Sequence, residues 1–146
     1  MNLRERKYDE AIADFDVAIR HPRPSFQDYI LRGEAKIAKG DLSGALEDLD
    51  KAFSLGKNLH EVHYNRGFIH EKLGNIESAL ADYDKTIAWS KQFQDKPPIV
   101  SNVPRPGYDD ESRRMVYRKH RFGYVISFEE LVEIRERLAE EMRQTP

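Results

Sequence analysis

SGALEDLDKAF at residues 43–53 and ESALADYDKTI at 77–87 are two spellings of one helix, and DEAIADFDVAI at 9–19 is a third. Apolar residues fall at Ala45, Leu46, Leu49, Ala52 and Phe53 in the first, and at Ala79, Leu80, Tyr83 and Ile87 in the second. The third places Ala11, Ile12, Phe15, Ala18 and Ile19 at the same offsets. Such spacing traces one stripe on a helix of period 3.6. The small residue at the head of each stripe lets a partner helix approach, and the larger one four residues on fills the gap beyond.

Residues 26–59 set above 60–93 without gaps share nine identities. Arg32 meets Arg66, Gly33 meets Gly67, Gly40 meets Gly74, and Ala45-Leu46 meets Ala79-Leu80; Asp48, Asp50, Lys51 and Lys57 meet Asp82, Asp84, Lys85 and Lys91. A 34-residue period is the mark of a helical repeat whose units bury their stripes only by stacking. Each unit reads as a first helix (26–39, 60–73), a turn, and a second helix (43–55, 77–90). Gly40 and Gly74 end the first helices, where a left-handed residue stops the ladder without a Cβ penalty. Gly33 and Gly67 lie inside them, where glycine costs about 1 kcal/mol against alanine, so each is expected at a close helix crossing.

With Ala45, Leu49 and Ala52, Ala79, Tyr83 and Thr86, and the phrases YNRG (64–67) and KLGN (72–75), the chain resembles the tetratricopeptide repeat family over roughly residues 7–93. The resemblance implies an all-α fold: a right-handed α-solenoid of stacked helix-turn-helix repeats with a C-terminal helical cap. The first unit (1–25) is partial, with at most a remnant of its first helix in residues 1–6. The family's aromatic positions hold His63, Lys36 and His70 instead, and its unit-closing proline occurs only at Pro22 and Pro24. The histidines are expected to be partly buried packing residues. By the same resemblance the first helices line a concave side that binds an extended peptide or a partner helix. The lining residues are then Gln27, Ile30, Glu34 and Ile37, followed by Glu61, Tyr64, Asn65, Phe68, Glu71 and Lys72. Asn65 matches the asparagine that the chaperone-binding members use on a peptide backbone or terminal carboxylate. Glu34, Glu61 and Glu71 break that likeness, because an acidic groove suits a basic or amphipathic segment better. Tyr64 and Phe68, four residues apart and off the packing stripe, are expected to face the groove.

Beyond residue 93 the register fails. Residues 94–108 hold four prolines and read as an extended connector. Residues 109–146 read as a helix pair, a cap or a degenerate fourth repeat, with the cap favoured because terminal repeats must cover the last apolar stripe. Its first helix, 109–121, is acidic at the start and basic at the end, and Gly123 would stop it. Ser127 and Glu130 form a capping box opening the second, with Phe128, Leu131, Ile134, Leu138 and Met142 along one side.

The rest of the sequence mainly excludes. The 146 residues are 39% hydrophobic and 34% charged, with a net charge of −2, which disfavours nucleic acid or an anionic membrane as a partner. Cysteine is absent, so disulfides and thiol chemistry are excluded. No apolar run approaches the ~20 residues of a bilayer span, and MNLRERKYDE is no secretory signal, so a cytoplasmic protein is expected. Asp14, Asp48 and Asp82, with Asp16, Asp50 and Asp84, form two ladders expected to be solvated carboxylates beside Lys51 and Lys85. His60 and His63 lack a third ligand at a suitable spacing, so neither metal nor cofactor is expected. No catalytic motif is present. The one local charge concentration is Arg113, Arg114, Arg118, Lys119 and Arg121, an anion or acidic-partner patch if Arg114, Tyr117, Arg118 and Arg121 share a helical face. The expected function is protein–protein interaction by a scaffold, adaptor or co-chaperone-like module, without catalysis. Self-assembly into homo-oligomers, or a regulatory role in a larger complex through the basic helix, are the alternatives.

Overall fold

The computed structural model describes residues 3–56, 59–103, 105–108, 114–118 and 121–145, and of 3–5, 114–118 and 121–123 only the backbone. Helices α1 (Leu3–Ile19), α2 (Phe26–Lys39), α3 (Leu42–Leu55), α4 (His60–Lys72) and α5 (Ile76–Lys91) follow one another, each packed on the next. Strands β1 (Ile99–Ser101), β2 (Arg114–Arg118) and β3 (Arg121–Ile126) come next, and α6 (Phe128–Gln144) packs on α5. The architecture is a helical repeat solenoid. Gly40 and Gly74 have φ of 93° and 81°, the left-handed conformation the sequence demanded of them. At Gly40 the terminating bonds run from Gly40 N–H to the Ile37 carbonyl and from Asp41 N–H to that of Lys36. Ser127 and Glu130 form the expected capping box, and Ser25 with Asp28 forms another at the head of α2.

Two cores result. Ile30, Ile37, Leu49, Val62, Phe68 and Ile69 belong to one, built on α2, α3 and α4. Tyr64, Leu80, Tyr83, Ile87, Leu131, Ile134 and Leu138 belong to the other, built on α4, α5 and α6. Met142, expected on the same stripe of α6, lies at its exposed end.

Of the two Asp ladders, Asp16, Asp50 and Asp84 keep 47%, 61% and 51% of their side chains exposed, and Asp14 is exposed, as expected, whereas Asp48 and Asp82 are buried rather than solvated. Arg32 grips Asp48 through Nε and Nη2 at 2.9 and 2.6 Å and reaches Asp16 at 2.7 Å with Nη1. Arg66 repeats the pattern, with Asp82 at 3.0 Å and Asp50 at 3.3 Å. Asp48 and Asp82 are buried beneath these guanidiniums, so the arginine of each first helix ties the second helix of its own unit to that of the preceding one. Each of these pairs is 16 residues apart. The contact recurs between Asp84 and Arg135, 2.8 Å apart and separated by 51 residues. Helix α6 therefore stands where the first helix of a next unit would, and the three strands are an insertion before it.

That insertion overturns the helix read over 109–121. Among the described residues this stretch is strand: β1, β3 and β2 form an antiparallel sheet in that order, Ile99 opposite Ile126 and Arg114 opposite Tyr124. The reason is visible in MVYRKHRFGYVI (115–126), rich in β-branched and aromatic residues that favour a pleated surface. Its charge gradient suits a helix only if the propensity is ignored.

Gly33 and Gly67, equivalent in sequence, are not equivalent in space. A Cβ on Gly33 would sit 3.4 Å from the Ala45 carbonyl and the Leu49 side chain, ordinary contact. Gly33→Ala is expected to leave the melting temperature unchanged or to stabilise by up to about 1 kcal/mol through helix propensity. Thermal melts test this, and a loss of more than about 1 kcal/mol would show the crossing to be tighter than the geometry indicates.

Candidate functional site

The concave face that the sequence offers as an open groove is occupied by the chain itself. Residues 99–103 run along α4 as a strap that Arg105 continues, anchored where the Ser90 hydroxyl donates to the Pro97 carbonyl at 2.8 Å. Ile99 is buried in one core and Val103 in the other, so the strap spans both.

Three polar groups of the groove hold it. Glu34, a carboxylate 4% exposed, accepts from the Ser101 hydroxyl at 2.8 Å, from Asn102 N–H at 2.7 Å and from Asn102 Nδ2 at 3.2 Å. Burial pushes the Glu34 carboxyl above its ordinary range, and these donors oppose the rise. Asn65 lies 2.8 Å from the same hydroxyl. It is Asn65 Oδ1 that faces the hydroxyl, so the single proton of Ser101 lies between two acceptors, Glu34 and Asn65. Val103 N–H donates to Ser101 Oγ at 3.1 Å. Four residues past Ser101, the Arg105 guanidinium is 4% exposed and donates to Glu71 and, at 2.9 Å, to the Tyr83 hydroxyl. It stacks on two rings, 5.5 Å from the centroid of Phe68 and 5.6 Å from that of Tyr83. Tyr83 in turn donates to Glu71 at 2.8 Å. Burial raises the phenol pKa of Tyr64 and Tyr83, against the pull of Arg105, so both remain neutral.

The predicted groove residues thus divide. Glu34, Asn65, Phe68 and Glu71 meet the strap, and Tyr64 lies beneath it against Tyr83, 5.9 Å between ring centroids. Ile30 and Ile37 are core residues. Gln27 and Glu61 are half-buried, and Lys72 is exposed, its ammonium 5.3 Å from the Phe68 ring centroid. Tyr64, Asn65 and Phe68 are buried, so the expectation that they face an open surface is corrected: the strap covers them. The acidic groove does hold a cation, Arg105, which sequence reading missed. The signal was there, because a groove bearing Glu34 and Glu71 faces a connector with an arginine. Of the basic patch, Arg113 and Lys119 lie outside the described residues. Arg114 and Arg118 belong to β2 and Arg121 to β3, with Arg118 opposite Arg121, so the helical face meant to gather them does not exist.

His63, read as a packing residue, is buried beside Asp82, with Nδ1 3.2 Å from its Oδ1. Burial pushes the Asp82 carboxyl up, but hydrogen bonds from His63 and Arg66 outweigh this and hold it below its usual range. His60 stacks flat on Trp89, 3.5 Å between ring centroids and 7° from parallel. Burial, with His63 nearby, pulls His60 down to about 4. An unfolded histidine titrates near 6.5, so below that pH the unfolded chain takes up a proton the folded one refuses. Stability is therefore expected to fall as pH drops from about 7 toward 4. His60→Phe, which restores the residue found 34 positions earlier at Phe26, should flatten melting temperature between pH 7 and pH 5. An identical slope in both proteins would remove His60 as the source.

No group of three or more His, Cys, Asp and Glu side chains among the described residues is arranged to hold a metal. No curated protein matches the chain. The family model described as Tetratricopeptide repeat matches residues 60–93, the segment of α4 and α5. Repeats of this family generally mediate protein–protein interaction and are generally non-enzymatic. The match at 60–93, with the gapless copy at 26–59 and consecutive helix packing, supports a tetratricopeptide repeat assignment.

Proposed function

We propose that the chain is a non-catalytic, adaptor-like interaction module whose concave groove takes an extended segment, and that the strap is a resident occupant which a partner must displace. The observation that supports this is the grip on Ser101, Asn102 and Arg105 by Glu34, Asn65 and Glu71. A competing segment then carries the same chemistry: a hydroxyl followed by an amide side chain, and a cation four residues after the hydroxyl. The tether sets the terms of competition. A strap joined by a short connector acts at an effective concentration of about a millimolar, so a partner at about a micromolar must bind roughly a thousandfold better, ~4 kcal/mol. Loosening the strap is therefore the natural point of control. No helix among the described residues is long and apolar enough to cross a membrane, and a cytoplasmic location accompanies this reading.

The test is a labelled peptide of residues 97–107 titrated into the full chain and into its Arg105→Ala variant. The variant's own strap lacks the cation that the free peptide still offers. Binding is expected to the variant and not to the unaltered chain, and to be lost when the peptide's arginine is alanine. No binding to a variant that circular dichroism shows to be folded would overturn the reading. Light scattering against concentration serves as the control for self-assembly, since mass that rises with concentration would put a second copy's strap in the groove.

A further inference from the structure

With the groove filled, another concave feature remains. Phe53 of α3, His60 and His63 of α4, Lys85, Ala88 and Trp89 of α5, and Gln92 just past its end line a cavity of about 320 Å³. None of them belongs to the strap or holds it. The volume lies at the lower end of ligand pockets (about 300–1,000 Å³), suited to one large side chain and its neighbours.

The walls are aromatic and accessible. Phe53 is 39% exposed and meets His63 edge-on, ring centroids 5.6 Å apart. Trp89 is braced from behind by the flat stack on His60, and Phe93, 44% exposed, stands edge-on to it at 5.4 Å. A rigid ring backed by another ring offers apolar area at little entropic cost, the property of interface anchors. The polar groups have one sign. Lys85 is exposed and makes no ion pair among the described residues, whereas Asp82 is taken up by His63 and Arg66, and Asp50 by Arg66. The cavity therefore has an uncommitted cation at its edge and no uncommitted carboxylate among its lining residues.

We propose that this cavity docks a partner protein through one aromatic side chain inserted between Phe53 and Trp89, with a carboxylate beside that residue in the partner's sequence meeting Lys85. This surface is independent of the strap. Trp89 is the single tryptophan of the chain, so its emission reports on the cavity directly. The probes are the blocked tripeptides acetyl-Glu-Phe-Glu-amide, acetyl-Lys-Phe-Lys-amide and acetyl-Glu-Ala-Glu-amide, titrated into the full chain to millimolar concentration. A saturable change is expected with the first and not with the third, with the second at least about five-fold weaker. Lys85→Glu should reverse the order of the first two, and Ala88→Arg, which fills an exposed position of the cavity wall, should abolish the response. Arg105→Ala should leave it intact, separating this site from the groove. Equal responses to all three peptides, no saturable response, or indifference to Lys85→Glu would each overturn the proposal.

Discussion

Gly67→Leu is expected to destabilise the protein by about 3 kcal/mol or more. Even a Cβ at this position would lie 2.7 and 2.8 Å from Cε1 and Cδ1 of Tyr83, closer than side chains approach one another. The ring has nowhere to go. Tyr83 is fully buried, and its hydroxyl is held by Glu71 and Arg105, so moving it breaks the contacts that seat the strap. Gly67→Ala should already lose about 1–3 kcal/mol by the same route. At Gly33 the facing residue is Leu49, whose branched end leaves the space that the tyrosine ring takes. Urea melts of Gly33→Ala and Gly67→Ala side by side decide the matter. Equal midpoints would mean that the two glycines do the same work.

Arg105→Ala is expected to follow closely, with a loss of about 2–3 kcal/mol. Breaking a buried ion pair costs about 3–5 kcal/mol because the remaining charge is stranded. Glu71 is only partly stranded: its side chain is 19% exposed and keeps the Tyr83 hydroxyl, which places the effect at the lower end or just below. Loss of the guanidinium from between Phe68 and Tyr83 adds to it. Arg105→Lys keeps the charge but cannot donate to Glu71 and Tyr83 from one plane while stacking, so it should recover only part of the loss. Far-ultraviolet circular dichroism should show the helices retained while the strap is released. A variant as stable as the parent protein would mean that Arg105 is carried by the fold rather than holding it.

Much of the helical fold is legible in the sequence because its determinants are local or periodic. The stripes at Ala45–Phe53 and Ala79–Ile87, the left-handed glycines at 40 and 74, and the Ser127 capping box each involve residues within a turn or two of one another. What escapes is long-range. Ser101 meets Glu34 across 67 residues, a pairing that no periodicity reports. Asp48 and Asp82 look solvated in sequence because their partners, Arg32 and Arg66, stand on a different helix. Yet those arginines recur at the same 34-residue offset as the aspartates, which is the trace a repeated helix-to-helix contact leaves within one chain. In the hairpin, a charge gradient that suits a helix competes with the run of Val116, Tyr117, Phe122, Tyr124 and Val125, and loses. A gradient contributes under about 1 kcal/mol, whereas a paired strand gains a ladder of hydrogen bonds and a buried Ile126. Helical spacing can group Glu34, Asn65, Phe68 and Glu71 on the first helices, but a groove says nothing of who fills it.

Amide hydrogen exchange at Asn102 and Val103 reads directly whether the strap is seated in the groove. Neither amide is bonded to a helix backbone: one donates to the Glu34 carboxylate and the other to Ser101 Oγ. Both should be protected to a degree approaching the amides of α5, and Glu34→Ala should release Asn102 while α5 stays protected. Exchange of these two amides at the rate of an unstructured peptide in the unaltered protein would contradict the account.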